Sequence, residues 1–82
     1  MTLDKIIPLL QQIANDRTVP RNIRTKVEES ITVLQNPKEE LKTRVGTAIA
    51  GLDEVANDPN IPMYARTQVW NIVTALEALR QQ

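Results

Sequence analysis

Ile13-Ala14-Asn15-Asp16-Arg17-Thr18-Val19-Pro20 returns forty-two residues later as Val55-Ala56-Asn57-Asp58-Pro59-Asn60-Ile61-Pro62. The echo continues in Arg24-Thr25 and Arg66-Thr67, in Val27 and Val69, in Thr32 and Thr74, and in Leu34 and Leu76. Residues 13–35 and 55–77 align without gaps, with nine identities in twenty-three positions. A period near forty residues is the size of one helix–turn–helix unit. The repeat therefore predicts an all-α, four-helix domain made of two tandem αα-hairpin repeats related by a 42-residue offset. Repeat one covers about 3–35 and repeat two about 37–80, within a single domain spanning 1–82.

Apolar spacing divides the repeats into helices. Leu3, Ile6, Ile7, Leu10, Ile13 and Ala14 define a first helix from Leu3 to about Asn15. Pro8 lies too deep for its first turn and should kink it or delay its start, because proline deletes a backbone donor. Asn15-Asp16-Arg17-Thr18 makes the turn, with Thr18 as cap and Pro20 in the opening turn of the second helix. Ile23, Val27, Ile31 and Leu34 carry that helix to about Gln35. Asn36-Pro37-Lys38-Glu39 then reads as a capping box, with Glu39 reaching back towards the Asn36 cap. The third helix runs to about Asn57 on Leu41, Val45, Ala48, Ile49, Leu52 and Val55. Gly46 and Gly51 keep it lean enough for close approach to a neighbour. The fourth begins after the Asn60 cap and buries Ala65, Val69, Ile72, Val73, Leu76 and Leu79 before ending near Arg80. Short turns make successive helices antiparallel.

Composition narrows the function classes. The only aromatics are Tyr64 and Trp70, so the core must be aliphatic and buries less area per residue. With no Cys to staple it, so small a bundle is expected to gain from self-association. The absence of Cys also fits a reducing compartment. Ten basic and ten acidic residues cancel, which gives no general attraction to nucleic acid or anionic lipid. No apolar run approaches the roughly 20 residues of a membrane span, and the N-terminus does not have the pattern of a signal peptide. The expected location is cytoplasmic.

Few residues here can do catalysis. Without His or Cys there is no imidazole base, no thiol nucleophile and no common zinc site. Glu28-Glu29, Glu39-Glu40 and Asp53-Glu54 are adjacent pairs, and helix neighbours point in different directions. Solvated faces explain them. Two isolated glycines make no phosphate cradle. No enzyme activity, cofactor, metal or small-molecule substrate is expected.

Three polar or aromatic groups remain. Asp16 with Arg24, and Asp58 with Arg66, read as turn clamps, in which the carboxylate accepts from backbone amides and from the Arg side chain. Their alternative is a repeated polar ledge for a partner. Arg17, Arg21 and Arg24, near Lys26, form a basic concentration that could touch phosphates, although with zero net charge a solvated face is the favoured explanation. Met63, Tyr64 and Trp70 occupy the positions of Arg21, Asn22 and Glu28 in the first repeat. Three polar-to-apolar replacements mark this side as packing within the chain, as a homo-oligomer contact or as a surface for another protein.

The box Asp16-Arg17-Thr18-Val19-Pro20-Arg21-Asn22-Ile23-Arg24, with Asn57-Asp58-Pro59-Asn60-Ile61-Pro62-Met63-Tyr64-Ala65-Arg66-Thr67, resembles the archaeal uncharacterised protein family 0147 over almost the full chain. The resemblance implies a small, all-helical, archaeal cytoplasmic protein and brings no activity, ligand or catalytic residue. More loosely, the turn Asp, Pro and following Arg are similar to HEAT-type helical hairpins. The leading functional expectation is a non-catalytic protein-interaction module or self-associating bundle using Met63, Tyr64 and Trp70. The alternative is an accessory RNA-associated protein using Arg17, Arg21 and Arg24.

Overall fold

Four helices follow one another in the computed structural model, which describes residues 1–81: α1 Leu3–Ala14, α2 Arg21–Leu34, α3 Leu41–Ala56 and α4 Met63–Arg80. No strand occurs among the described residues. Each helix packs on the next in sequence, and α1 meets α4 over a shorter stretch, closing the ring. The backbones of the diagonal pairs, α1 with α3 and α2 with α4, do not approach. This closure leaves no open concave ridge of the HEAT type. No described helix is long and apolar enough to cross a membrane.

One aliphatic cluster holds the ring together. Ile6, Leu10, Val27, Leu34, Val45, Leu52, Ala65, Val69 and Leu76 have no exposed surface, and each lies on the apolar side that its helical spacing defines. Neither aromatic residue is part of it. Leu3, Ile7, Ile31, Val73 and Leu79 sit at its margin, half-buried, whereas Leu41 is exposed. Gly51 faces the Ser30 hydroxyl, where an added Cβ would lie 3.3 Å from Ser30 Oγ, so α2 and α3 approach closely there. Ser30 is the buried polar residue of this contact and donates to the Lys26 carbonyl within its own helix.

Pro8 does not delay α1. The amides of Lys5 and Ile6 already bond the Thr2 carbonyl, and the helix continues through the exposed proline.

The three connections, 15–20, 35–40 and 57–62, share one conformation. Asp16, Asn36 and Asp58 each donate their amide to the carbonyl three residues back, at Ile13, Val33 and Val55. Their side-chain oxygens accept from the amides of Thr18, Lys38 and Asn60 at 2.9, 3.0 and 2.9 Å. Such Asx-turns are a habit of short polar side chains. Their carbonyls then accept from Val19, Glu39 and Ile61.

This geometry corrects the capping scheme read from sequence. Thr18 and Asn60 are not helix caps, nor is Asn36 part of a capping box. Those residues serve the turn interior, and the helices begin later, after Pro20, Glu40 and Pro62. These three residues have extended ψ near 145–148°, and none of them caps through its side chain. The backbone carbonyl of Asn36 takes the Glu39 amide, so the Asn36 side-chain oxygen does not serve as a cap for it.

Candidate functional site

Each turn is followed, eight residues after its Asx, by an arginine that folds back onto backbone. Arg24 Nε donates to Val19 O at 3.0 Å, Arg44 NH1 to Leu34 O at 2.7 Å, and Arg66 NH2 to Asp58 O at 3.2 Å. All three are half-buried. A guanidinium fixed on a carbonyl makes a charge-assisted bond and supplies the donors that a chain reversal leaves short. The Nε atoms of Arg44 and Arg66 are buried without a partner, because each side chain engages through a terminal nitrogen instead.

The Asp–Arg clamps thus differ in detail from the sequence reading. Asp16 and Asp58 do accept from backbone amides, those of Thr18 and Asn60, but Arg24 and Arg66 donate to backbone carbonyls rather than to the carboxylates. Arg44 is the member that sequence reasoning missed. Its signal was the Asx-plus-eight spacing, hidden because Asn36 replaces Asp and Glu40 replaces Pro in the middle turn.

The two outer turns lie at one end of the bundle and are tied across it. Tyr64, at the start of α4, donates its hydroxyl to Asp16 Oδ2 at 2.5 Å and also meets the Thr18 hydroxyl. Thr18 in turn donates to Asp16 Oδ1 at 2.7 Å. Asn22, at the corresponding position of α2, reaches Asp58 Oδ2 at 3.4 Å. Each turn carboxylate is therefore met by the same helix position of the other hairpin. The Thr18 hydroxyl, then the Tyr64 hydroxyl and the Thr18 amide, hold Asp16 below the ordinary carboxylate value, with Arg24 adding little. The Asp16 carboxylate correspondingly pushes the Tyr64 phenol up.

Val19 and Ile61 sit beneath these outer turns, 1% and 5% exposed. They plug the same end of the core. The sequence reading, with Thr18 and Asn60 as caps, puts both at the opening of a helix and outside the core, although each repeats as an apolar residue before proline.

The basic concentration is partly consumed. Arg24 is committed to Val19, and Lys26 pairs with Glu54 at 2.8 Å across α2 and α3, which raises the Lys26 pKa and lowers that of Glu54. Among the described residues, Arg17 and Arg21 remain without an internal partner. No group of three metal-ligating side chains occurs among those residues.

The apolar trio separates into two roles. Tyr64 points across to the first turn. Met63 and Trp70, seven positions apart on α4, share its outer side and are 68% and 52% exposed. A groove of about 160 Å³ lies between α1 and α4, lined by Met1, Leu9, Gln12, Gln68, Asn71 and Ile72.

The model of the uncharacterised protein family UPF0147 matches residues 1–79. The chain belongs to that family. UPF0147 relatives include a protein from Methanothermobacter thermautotrophicus, 48% identical over 52 residues, which are 63% of this chain and 51% of the relative. Another, from Pyrococcus furiosus, is 42% identical over 52 residues, 62% of this chain and 56% of that protein. The chain spans about half the length of the curated relatives it matches. Two crystal structures share the fold. That of a UPF0147 protein from Thermoplasma acidophilum has a TM-score of 0.89 at 39% identity, covering 93% of this chain and 89% of the other. That of the unknown-function protein MMP1188 has a TM-score of 0.88 at 45% identity, covering 92% and 85%. The function of UPF0147 is unknown, and this likeness assigns no catalytic residue.

Proposed function

We propose that this UPF0147 chain is a non-catalytic, cytoplasmic protein-interaction module whose contact surface is the outer side of α4 around Met63 and Trp70. The observation that carries the reading is Trp70 itself. In a chain whose core contains no aromatic residue, the single tryptophan stands half in water on a helix exterior. Tryptophan is prominent among the residues that anchor protein contacts once desolvated. Met63 beside it offers a flexible apolar surface. The non-catalytic part rests on a sequence without His or Cys. The cytoplasmic part rests on the reducing compartment that a Cys-free chain suits.

Association of the tagged chain with any protein, itself included, is the measurement. Trp70→Ala and Met63→Ala should abolish association while circular dichroism stays unchanged. Association that survives both substitutions, or a chain that binds nothing, refutes the reading. The nucleic-acid alternative keeps only Arg17 and Arg21 as uncommitted charges. A single-stranded RNA that binds in low salt, and is lost on Arg17→Gln with Arg21→Gln, would favour it instead.

A further inference from the structure

The three turns share a backbone but differ at the peptide bond that follows the Asx residue. That bond is Asp16–Arg17 in the first turn, Asn36–Pro37 in the middle one and Asp58–Pro59 in the third. In the third, the Asp58 carbonyl accepts twice, from the Ile61 amide at 3.2 Å and from Arg66 NH2 at 3.2 Å. The Asp16 carbonyl accepts from the Val19 amide, while Arg24 goes to Val19 O. The Asn36 carbonyl accepts from the Glu39 amide at a long 3.5 Å, while Arg44 goes to Leu34 O. The Asp58 carboxylate is also placed. Its Oδ1 accepts from the Asn60 amide at 2.9 Å, which turns the side chain towards its own C-terminal peptide unit. Its Oδ2 meets the Asn22 amide at 3.4 Å and is lightly held. Pro59 is exposed, so water reaches the bond.

We propose that Asp58–Pro59 is a self-cleavage site, at which the Asp58 carboxylate severs its own peptide bond in the folded chain and releases residues 59–82. This goes beyond the interaction reading and does not depend on it. Scission that consumes the chain once is not turnover, and the released segment is the one that carries Met63 and Trp70.

A carboxylate oxygen of Asp58 bonds to the Asp58 carbonyl carbon and closes a succinic-anhydride ring. As the C–N bond to Pro59 breaks, its electron pair stays on the proline nitrogen, which takes a proton from solvent. Water then opens the anhydride, leaving Asp58 as a C-terminus with two carboxyls and Pro59 as a secondary amine. One water is consumed, and nothing is oxidised or reduced. Nucleophile and carbon sit in one residue, which removes the cost of bringing them together. Negative charge gathers on the carbonyl oxygen during the attack, and the Ile61 amide and Arg66 guanidinium already donate to that atom. The proline nitrogen belongs to a tertiary amide without an N–H, and the secondary amine it becomes takes up a proton readily. α4 faces this peptide with Arg66 and α2 with the neutral Asn22 amide. Neither other turn combines these features. Asp16 is followed by Arg17, a secondary amide, and Asn36 offers a neutral side chain beneath a singly bonded carbonyl.

Intact mass spectrometry on the full chain tests the proposal, after warm incubation in mildly acidic buffer in which circular dichroism remains helical. The acid supplies the proton for the leaving nitrogen. The expected products are residues 1–58 and 59–82, with cuts at Asn36–Pro37 and Asp16–Arg17 slower by roughly tenfold or more. Asp58→Ser, which keeps a side-chain oxygen for the turn, should abolish the cut. Pro59→Ala, which restores a secondary amide, should slow it by roughly tenfold. Arg66→Met should also slow it by roughly tenfold, less than the loss of a donor from a dry site. In urea, where the turn is gone, the wild-type bond should be cut no faster than in the Arg66 variant. That comparison holds whether or not the variant folds. A folded wild-type chain that stays intact overturns the proposal. So does a cut that proceeds equally fast in urea, because the dipeptide and not the turn would then be responsible. A cut that survives Asp58→Ser, or that is indifferent to Arg66→Met in a folded variant, overturns it as well.

Discussion

The middle turn, 35–40, and the outer turns, 15–20 and 57–62, have one backbone and two kinds of surroundings. All three contain an Asx-turn, an extended residue before the helix and an arginine bonded to a carbonyl. Yet the residue three after the Asx is a buried plug in the outer turns, Val19 and Ile61, and an exposed Glu39 in the middle one. The outer pair is also tied across the bundle, Tyr64 to Asp16 and Asn22 to Asp58. The difference teaches that turn shape here is a local property, while what a turn contributes to stability depends on which end of the bundle it covers.

Truncating the plugs should show that contrast at its largest. Ile61→Ala should cost about 2–4 kcal/mol in denaturant unfolding, since a buried branched side chain leaves a cavity, and Val19→Ala somewhat less. Glu39→Ala, at the matching place in the middle turn, should stay within about 0.5 kcal/mol. Equal losses at all three positions would break the distinction.

The arginines test the opposite half of the comparison, the shared backbone. Arg24→Met, Arg44→Met and Arg66→Met should each cost about 1–3 kcal/mol, the range for a hydrogen bond made by a charged group. The middle turn should lose as much as the outer ones. If Arg44→Met were silent, the three turns would not be held in the same way.

The cross-bundle ties should have the smallest effect and a pH signature. Tyr64→Phe should destabilise less than any arginine change, and Asn22→Ala, which removes a 3.4 Å contact, less again. Asp16 is held below its unfolded value, so its contribution is present above the ordinary carboxylate range and is lost as pH falls through the folded value. Tyr64 is raised, so its contribution is complete below about pH 10 and disappears as pH rises through the folded value. Tyr64→Phe should therefore remove the alkaline loss of stability. Identical alkaline unfolding of wild type and Tyr64→Phe would show that the tie carries no free energy.

Much of the fold could be read along the chain. Apolar residues at helical spacing located all four helices to within a residue at their ends, because burial on one side of a helix repeats with its turn. Helix starts were misplaced, since Thr18, Asn36 and Asn60 are good caps in isolation. What competed was the Asx-turn, which satisfies nearby amides before the helix begins. Val19 and Ile61, read as helix-opening residues after those caps, were not placed in the core because a plug has no periodicity to betray it. Of the candidate surface, the polar-to-apolar change at Met63 and Trp70 was legible as a difference between halves. That Tyr64 belongs to a tie rather than to the same stripe was not, because its partner is forty-eight residues away.

The sequence by itself determined an aliphatic, four-helix chain with short reversals, since those properties follow from neighbours one turn apart. Tertiary structure alone decided that α1 and α4 close the ring and which turns cover the core. Such facts depend on residues brought together from opposite ends of the chain, and no local spacing encodes which distant surfaces will meet.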